Sequence, residues 1–146
     1  RKKSLEMLSL VGIAMPDHVY ASYPHELSGG MRQRVALART LAHDAGVLLM
    51  DEPFAALDAM TRDALHDELE RVWLERNLTV LFVTHNVSEA VRLGDRIVLL
   101  ASRPGRVIEE FPVVHARPRR IDAPEVAGQA AEITDRLRAE VARHAN

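Results

Sequence analysis

The sequence has 146 residues, 47% hydrophobic and 27% charged, with a net charge of −2 and no cysteine. That length suits one domain, able to bury about 70% of its unfolded surface, and the composition excludes wholesale disorder. Disulfides and cysteine-ligated metals are excluded too, the charge gives no electrostatic case for nucleic acid, and no apolar run is long enough to span a bilayer.

In chain order, Leu5, Leu8 and Val11 recur at helical spacing over 4–12, and Gly12 stops the run. The chain opens as if inside a helix, without an initiator methionine or an apolar leader, so it is expected to be part of something longer. Pro16 and Pro24 make 13–27 a loop with one short turn. Ser28 is placed as an N-cap before a helix over 31–43, with Val35, Ala38, Leu41 and Ala42 on one face. Val47-Leu48-Leu49-Met50, ending in Asp51-Glu52-Pro53, reads as a strand covered on both faces, as in parallel sheets. Asp58 caps a helix running to Asn77, with Leu65, Leu69, Val72 and Trp73 inward. Thr79-Val80-Leu81-Phe82-Val83 is a second buried strand, and 87–93 a short helix ended by Gly94. Two further strands, 97–100 and 107–111, lie around a Pro104-Gly105 turn. From His115 to Pro124 the chain is basic and proline-punctuated, the pattern of a solvated linker. A last, weakly amphipathic helix over 125–144 carries Ile133, Leu137 and Val141 at spacing four. Strands alternating with helices predict an α/β layer architecture.

Three places carry chemistry. Leu27-Ser28-Gly29-Gly30 puts a hydroxyl and two glycines at a helix start, where free amides and the helix dipole favour an anion such as phosphate. Taken singly it also fits an ordinary cap after a loop. Asp51 and Glu52 follow a buried strand, where open α/β sheets place ligands. Two carboxylates there suit a magnesium ion held partly through water and a base that orients an attacking water, and equally a turn with solvated acids. Thr84-His85 ends the next strand, so His85 can reach a phosphate oxygen or serve structure alone.

Together, in this order, the three resemble the nucleotide-binding domain of ABC transporters. Leu27-Ser28-Gly29-Gly30-Met31-Arg32-Gln33-Arg34 resembles that family's signature motif, and Val47-Leu48-Leu49-Met50-Asp51-Glu52-Pro53 its Walker B strand and catalytic glutamate. Ala56-Leu57-Asp58 is similar to the D-loop and His85 to the switch histidine. Thr61-Arg62-Asp63, Arg103-Pro104-Gly105-Arg106-Val107 and Arg117-Pro118-Arg119 are similar to the nitrate, sulfonate and taurine importer branch. The resemblance implies a partial P-loop NTPase fold: a mostly parallel sheet with flanking helices. Residues 1–27 would be the rest of a helical subdomain, 28–112 part of the ATPase core, 113–124 a linker and 125–146 a terminal helix. It implies ATP and Mg2+ as cofactors. Asp51 would bind the metal, Glu52 polarise the attacking water and His85 contact the γ-phosphate. Ser28, Gly29 and Gly30, with Gln33, would meet ATP held by an opposite subunit, and Asp58 would couple the two sites. The implied partners are a second ATPase subunit, a membrane permease pair and, indirectly, a solute-binding protein, at the cytoplasmic face of a membrane. Val11, Ile13, Met15 and Tyr23 would belong to the permease-facing subdomain, most of them as core.

No Gly-x-x-x-x-Gly-Lys-Ser/Thr occurs, and no glycine is followed by lysine, so the phosphate-cradling loop is absent. Asn86 stands after His85 where the family commonly has Asp, and Ala55-Ala56 where Ser or Gly is common before Ala. The expectation is that these residues alone neither bind ATP tightly nor hydrolyse it. The family's fold places the strand feeding that loop between the strand ending at His85 and the strand at 97–100, so the sheet is expected to close up or to pair with another copy. Two alternatives stand beside the importer reading: a non-transport ABC ATPase of DNA repair or translation, and a stand-alone interaction module with inactive motifs. Intact Asp51, Glu52 and His85 favour an enzyme.

Overall fold

The computed structural model describes residues 1–43, 46–55, 57–101 and 105–144. The chain divides into two units, Arg1–Val83 and Thr84–Asn146. The Ala56 of the D-loop motif and the Arg103-Pro104 of the expected turn lie outside the described residues. No helix among the described residues is long and apolar enough to cross a membrane.

The first unit opens with α1 (Lys2–Leu10). It ends in a Schellman turn: the Ile13 amide donates to the Leu8 carbonyl at 3.1 Å and the Gly12 amide to Ser9 at 3.0 Å. Gly12 takes φ +72°, and a Cβ there would stand 2.4 Å from Nη1 of Arg34. The positive φ is what favours glycine at this position.

Residues 13–27 hold more structure than a loop with one turn. Helix α2 (Pro16–Ala21) and a 3-10 turn (Pro24–Glu26) both begin on the prolines. A fixed φ and a missing N–H suit proline to a first helical position, so these residues start elements here. Of the four residues assigned to this subdomain, Val11 and Ile13 are buried, while Met15 and Tyr23 are exposed.

Helix α3 spans Gly29–Leu41, β1 Val47–Asp51, α4 Ala59–Arg76 and β2 Thr79–Val83. Leu65, Leu69 and Val72 of α4 are buried as expected, and Trp73 is half-buried. Helix α4 stops at Asn77, whose left-handed backbone (φ 49°) lets the Leu78 amide reach the Trp73 carbonyl. Strands β1 and β2 pair in parallel, from Val47 opposite Thr79 to Asp51 opposite Val83. Their expected cover on both faces is not realised. Leu48 is 1% exposed, but Val47 is 58%, Leu49 70%, Leu81 60% and Val83 50% exposed. Alternate side chains leave a strand on opposite faces, so one face of this ladder is apolar and bare.

The second unit holds α5 (Val87–Leu93), β3 (Arg96–Leu100), β4 (Val107–Pro112) and α6 (Pro124–His144). Strands β3 and β4 are antiparallel. One of these two ladders is thus parallel and the other antiparallel. Val91, Leu99, Phe111, Val113, Val126, Ala130 and Ile133 make the core, sealed by α6. Val141, expected inward, is exposed. Four residues turn a helix by about 400°, so a strict spacing of four drifts off the face. Glu140 occupies the inward place instead and pairs with Arg106 at 2.6 Å.

The expected solvated linker is also corrected. Arg119 is 5% exposed and Arg117 half-buried, and both reach the end of α5. Only Arg120 fits the original reading, exposed and paired with Asp122.

Candidate nucleotide site

Helices α3 and α4 start in the same way. Ser28 caps α3, its Oγ accepting from the Met31 amide at 3.2 Å. Asp58 caps α4, its Oδ1 accepting from the Thr61 amide at 3.0 Å and its Oδ2 from the Thr61 hydroxyl at 2.7 Å. The Thr61 amide, then its hydroxyl, hold the Asp58 carboxyl below the usual carboxylate range. An arginine four residues after each cap reaches back over it. Arg32 donates to the Leu27 carbonyl and Arg62 to the Leu57 carbonyl, each at 2.8 Å. Leu27 and Leu57 are both buried. Arg34 donates to the carbonyls of Val11, at 2.9 Å, and Gly12. Both arginines of the signature segment, Arg32 and Arg34, thus tie the chain together through backbone carbonyls.

The two signature glycines differ. A Cβ on Gly30 would stand 2.6 Å from Cγ2 of Thr61, whereas one on Gly29 would meet nothing within 4 Å. Gly30 lets α3 start close against α4; Gly29 leaves open backbone that a ligand can approach. Gln33 sits one turn beyond Gly29, on the same side of α3. Between the starts of α3 and α4, Ser28, Gly30, Met31, Arg34, Met60, Thr61 and Ala64 line a shallow groove that does not include Gly29 or Gln33.

Asp51 ends β1 and is exposed, and Glu52 follows it, half-buried. Glu52 has φ 47°, a conformation costly for a residue with a Cβ. It is held by its amide, which donates to the Val83 carbonyl at 2.9 Å, and by its carbonyl, which accepts from Ala55 at 3.3 Å. Phe54 anchors the loop that follows. Its ring is 4% exposed, meets His66 edge-on at 4.5 Å and tilts against Phe82 at 5.7 Å. Neither Phe54 nor His66 stood out as functional in the sequence. The available signal was the spacing of Arg62, His66 and Glu70, a polar ridge at intervals of four turned inward on α4.

Among the described residues no three His, Cys, Asp or Glu side chains gather as metal ligands. One or two carboxylates, with phosphate oxygens and waters completing the shell, are what a Mg2+ site of a nucleotide enzyme needs, and Asp51 with Glu52 fits that donor set. In the second unit His85 is exposed, ahead of α5. Asn86 caps α5, Oδ1 accepting from Ser88 at 3.1 Å and Glu89 at 3.3 Å. Thr84 Oγ1 accepts from the Asn86 amide at 3.0 Å and donates to Glu89 at 2.9 Å.

A parallel strand pair, with β1 ending in Asp51 and Glu52, beside capped helix starts is an α/β arrangement, and its structural neighbours make it one of the P-loop NTPase kind. The family model "ABC transporter" matches residues 1–55. An uncharacterized ABC transporter ATP-binding protein of Methanocaldococcus jannaschii is 52% identical over 118 residues, 81% of this chain and 42% of that protein. An aliphatic sulfonates import ATP-binding protein of Rhodococcus jostii is 47% identical over 137 residues, 94% of this chain and 54% of its own. A taurine import ATP-binding protein of Rhizobium johnstonii is 44% identical over 79% of this chain and 43% of its own. The dimeric structure of a bacterial ABC transporter cassette superposes with a TM-score of 0.66 at 35% identity, over 79% of this chain and 47% of that one. A dimeric post-hydrolysis cassette bound to ADP and Pi does so equally. The chain belongs to the ABC transporter ATP-binding family, and it spans about half the length of the curated relatives it matches.

Proposed function

We propose that these residues form the signature, hydrolysis and switch portions of the ATPase subunit of an importer for a small polar solute of the sulfonate or taurine kind. The observation that carries this is one sheet edge and one helix start bearing the family's motifs in order, in a chain 44–47% identical to sulfonate and taurine import subunits. Asp51 would hold Mg2+. Glu52, fixed by its strained backbone and its bond to Val83, orients the water that attacks the γ-phosphate. His85 contacts that phosphate. The metal supplies neutralisation of the charge that develops on the phosphate oxygens. Ser28, the open backbone at Gly29, Gly30 and Gln33 meet the nucleotide of a second cassette, and Asp58 links the two sites. A permease pair and, through it, a solute-binding protein complete the assembly at the cytoplasmic membrane face.

The phosphate-cradling loop is not in this sequence, so ATP is held only where another stretch of chain supplies it. Calorimetry of the 146 residues with ATP and Mg2+ is expected to show no micromolar binding, and a chain that also carries the loop is expected to bind. Glu52→Gln in that longer chain is expected to lower turnover about 10²–10⁴-fold. Micromolar binding by the 146 residues alone would overturn this account of the missing loop.

A further inference from the structure

Thr61 touches both helix starts of the candidate site. Its amide donates to Asp58 Oδ1 at 3.0 Å and its hydroxyl to Asp58 Oδ2 at 2.7 Å. Its methyl, Cγ2, fills the space that a Cβ on Gly30 would need, only 2.6 Å from where that atom would stand. The caps themselves stay local. Ser28 serves the Met31 amide of α3, and Asp58 serves the Thr61 amide of α4. Each orders its own helix, and neither by itself sets one start against the other. Thr61 belongs to the second cap and lies against the backbone of the first.

The two contacts share one torsion. Thr61 is β-branched, so its hydroxyl and methyl leave the same Cβ at a fixed angle, and χ1 alone decides where both point. The rotamer that aims Oγ1 at the Asp58 carboxylate is the one that lays Cγ2 beside Gly30. A jump to another rotamer breaks both contacts at once. The Asp58 carboxyl responds to this rotamer, since the Thr61 amide and then its hydroxyl hold it below the usual carboxylate range. The methyl alone crowds Gly30: a Cβ there would stand 3.8 Å from both Cβ and Oγ1 of Thr61, which is ordinary van der Waals contact.

We propose that Thr61 is a positioning residue: its single rotamer holds the signature backbone at Gly30 against the Asp58 carboxylate, so that both meet a second cassette in one register. The consequence rests on the proposed reading of Gly30 and Asp58 as groups that act across two cassettes; the geometry does not.

The test moves one methyl group within the 146-residue chain and follows the titration of the Asp58 carboxyl by NMR. Gly30→Ala drives a Cβ into the Thr61 methyl and turns the hydroxyl off Asp58. The Asp58 midpoint is expected to rise towards the ordinary carboxylate range. Adding Thr61→Ser removes the methyl, and both the stability and the low midpoint are expected to return. An Asp58 midpoint that ignores Gly30→Ala in a folded chain would overturn the proposal and leave Thr61 a local cap. If Gly30→Ala does not fold, the reverse direction decides. Asp58→Ala releases the hydroxyl and is expected to shift the Gly30 amide signal, a shift that Thr61→Ser abolishes; an unmoved Gly30 amide would overturn the proposal. In the longer chain that carries the phosphate loop, Thr61→Ala is expected to lower kcat about 10- to 100-fold with ATP binding by each cassette unchanged. Loss of ATP binding at unchanged kcat would overturn the positioning role. Should Asp58→Ala leave turnover unchanged there, the reading of Asp58 as a link between sites fails, while the titration result stands.

Discussion

The two ladders of this chain differ in how their inner faces are covered, although the second also leaves Val98, Leu100 and Val107 exposed. In the first unit, β1 and β2 bury Leu48 and leave Val47, Leu49, Leu81 and Val83 to solvent. In the second, β3 and β4 bury Leu99 and Phe111 beneath α6, whose Val126, Ala130 and Ile133 complete a closed core. Polar side chains also divide into exposed and buried sets, with His66 and Glu70 of the first unit among the buried. Asp51 and the caps Ser28 and Asp58 stand at exposed ends of strands and helices, while Arg119, Glu89 and Glu140 are buried and spent on internal bonds. The candidate groups Asp51, Ser28, Asp58 and His85 are exposed and so accessible to a ligand, whereas the buried polar groups are committed to internal bonds.

The sharpest way to break this comparison is a pair of truncations. Ile133→Ala, in the closed core, is expected to cost about 2–5 kcal/mol. Leu49→Ala, on the bare face, is expected to stay within about 0.5 kcal/mol. Urea denaturation of the 146-residue chain measures both. A Leu49→Ala cost of the Ile133 size would mean that the face is covered in solution, and dependence of that cost on protein concentration would identify a second copy as the cover.

The glycines divide the next effect within one motif. Gly30→Ala drives a Cβ into Thr61 and is expected to destabilise by about 1–3 kcal/mol, the usual range for overpacking. Gly29→Ala meets nothing and is expected to stabilise α3 by up to about 1 kcal/mol, while weakening ATP-dependent pairing of cassettes in the longer chain. Thermal melts of the two variants would show opposite signs. Equal signs would remove the distinction between a glycine kept for packing and one kept for access.

What the sequence made legible was whatever a residue type or a period specifies locally. Ser28 and Asp58 as caps, Gly12 and Asn77 as stops, and the strand ends at Asp51 and Val83 all follow from backbone chemistry near each residue. Burial was legible on α4, where the helical period picks out Leu65, Leu69 and Val72, but not on the strands, because there it depends on what packs from elsewhere. An unbroken apolar run such as Val47-Leu48-Leu49-Met50 reads as doubly covered whether or not a covering element is present. Arg119 and Phe54 were missed for a related reason. Arg119 finds its carbonyls 25–28 residues away in sequence, and Phe54 finds His66 across a helix. A basic, proline-rich run looks the same whether its arginines meet water or a helix end.

Phe54 offers a smaller test of how the first unit holds its exposed acids. Phe54→Leu preserves most of the buried surface but loses the edge-on contact with His66 and the tilt on Phe82. The expected loss is about 0.5–1.5 kcal/mol, the range of an aromatic pair beyond its area. Amide exchange at Glu52 and Ala55 is expected to quicken by a similar factor, since Phe54 lies between them. Faster exchange confined to α4 would instead place the ring's role in the helix and not in the loop.

The smallest effect concerns Asp58, whose carboxyl the Thr61 amide and hydroxyl hold below its ordinary range. A carboxyl with a lower pKa in the folded state binds fewer protons there than in the unfolded chain, whose value is about 3.9. Its contribution to stability is therefore complete above that unfolded value and is lost as pH falls through the depressed folded one. Asp58→Asn keeps a capping oxygen but removes the titration. The stability difference between the parent chain and Asp58→Asn is expected to be flat above about pH 5 and to move against the parent as pH falls from there. Asp122, lowered in the same sense by Arg120, is present in both chains and cancels. A difference that stays constant through the acid range would show that Thr61 meets the two oxygens equally well with and without the charge, and that the cap of α4 is a hydrogen bond and not an electrostatic device.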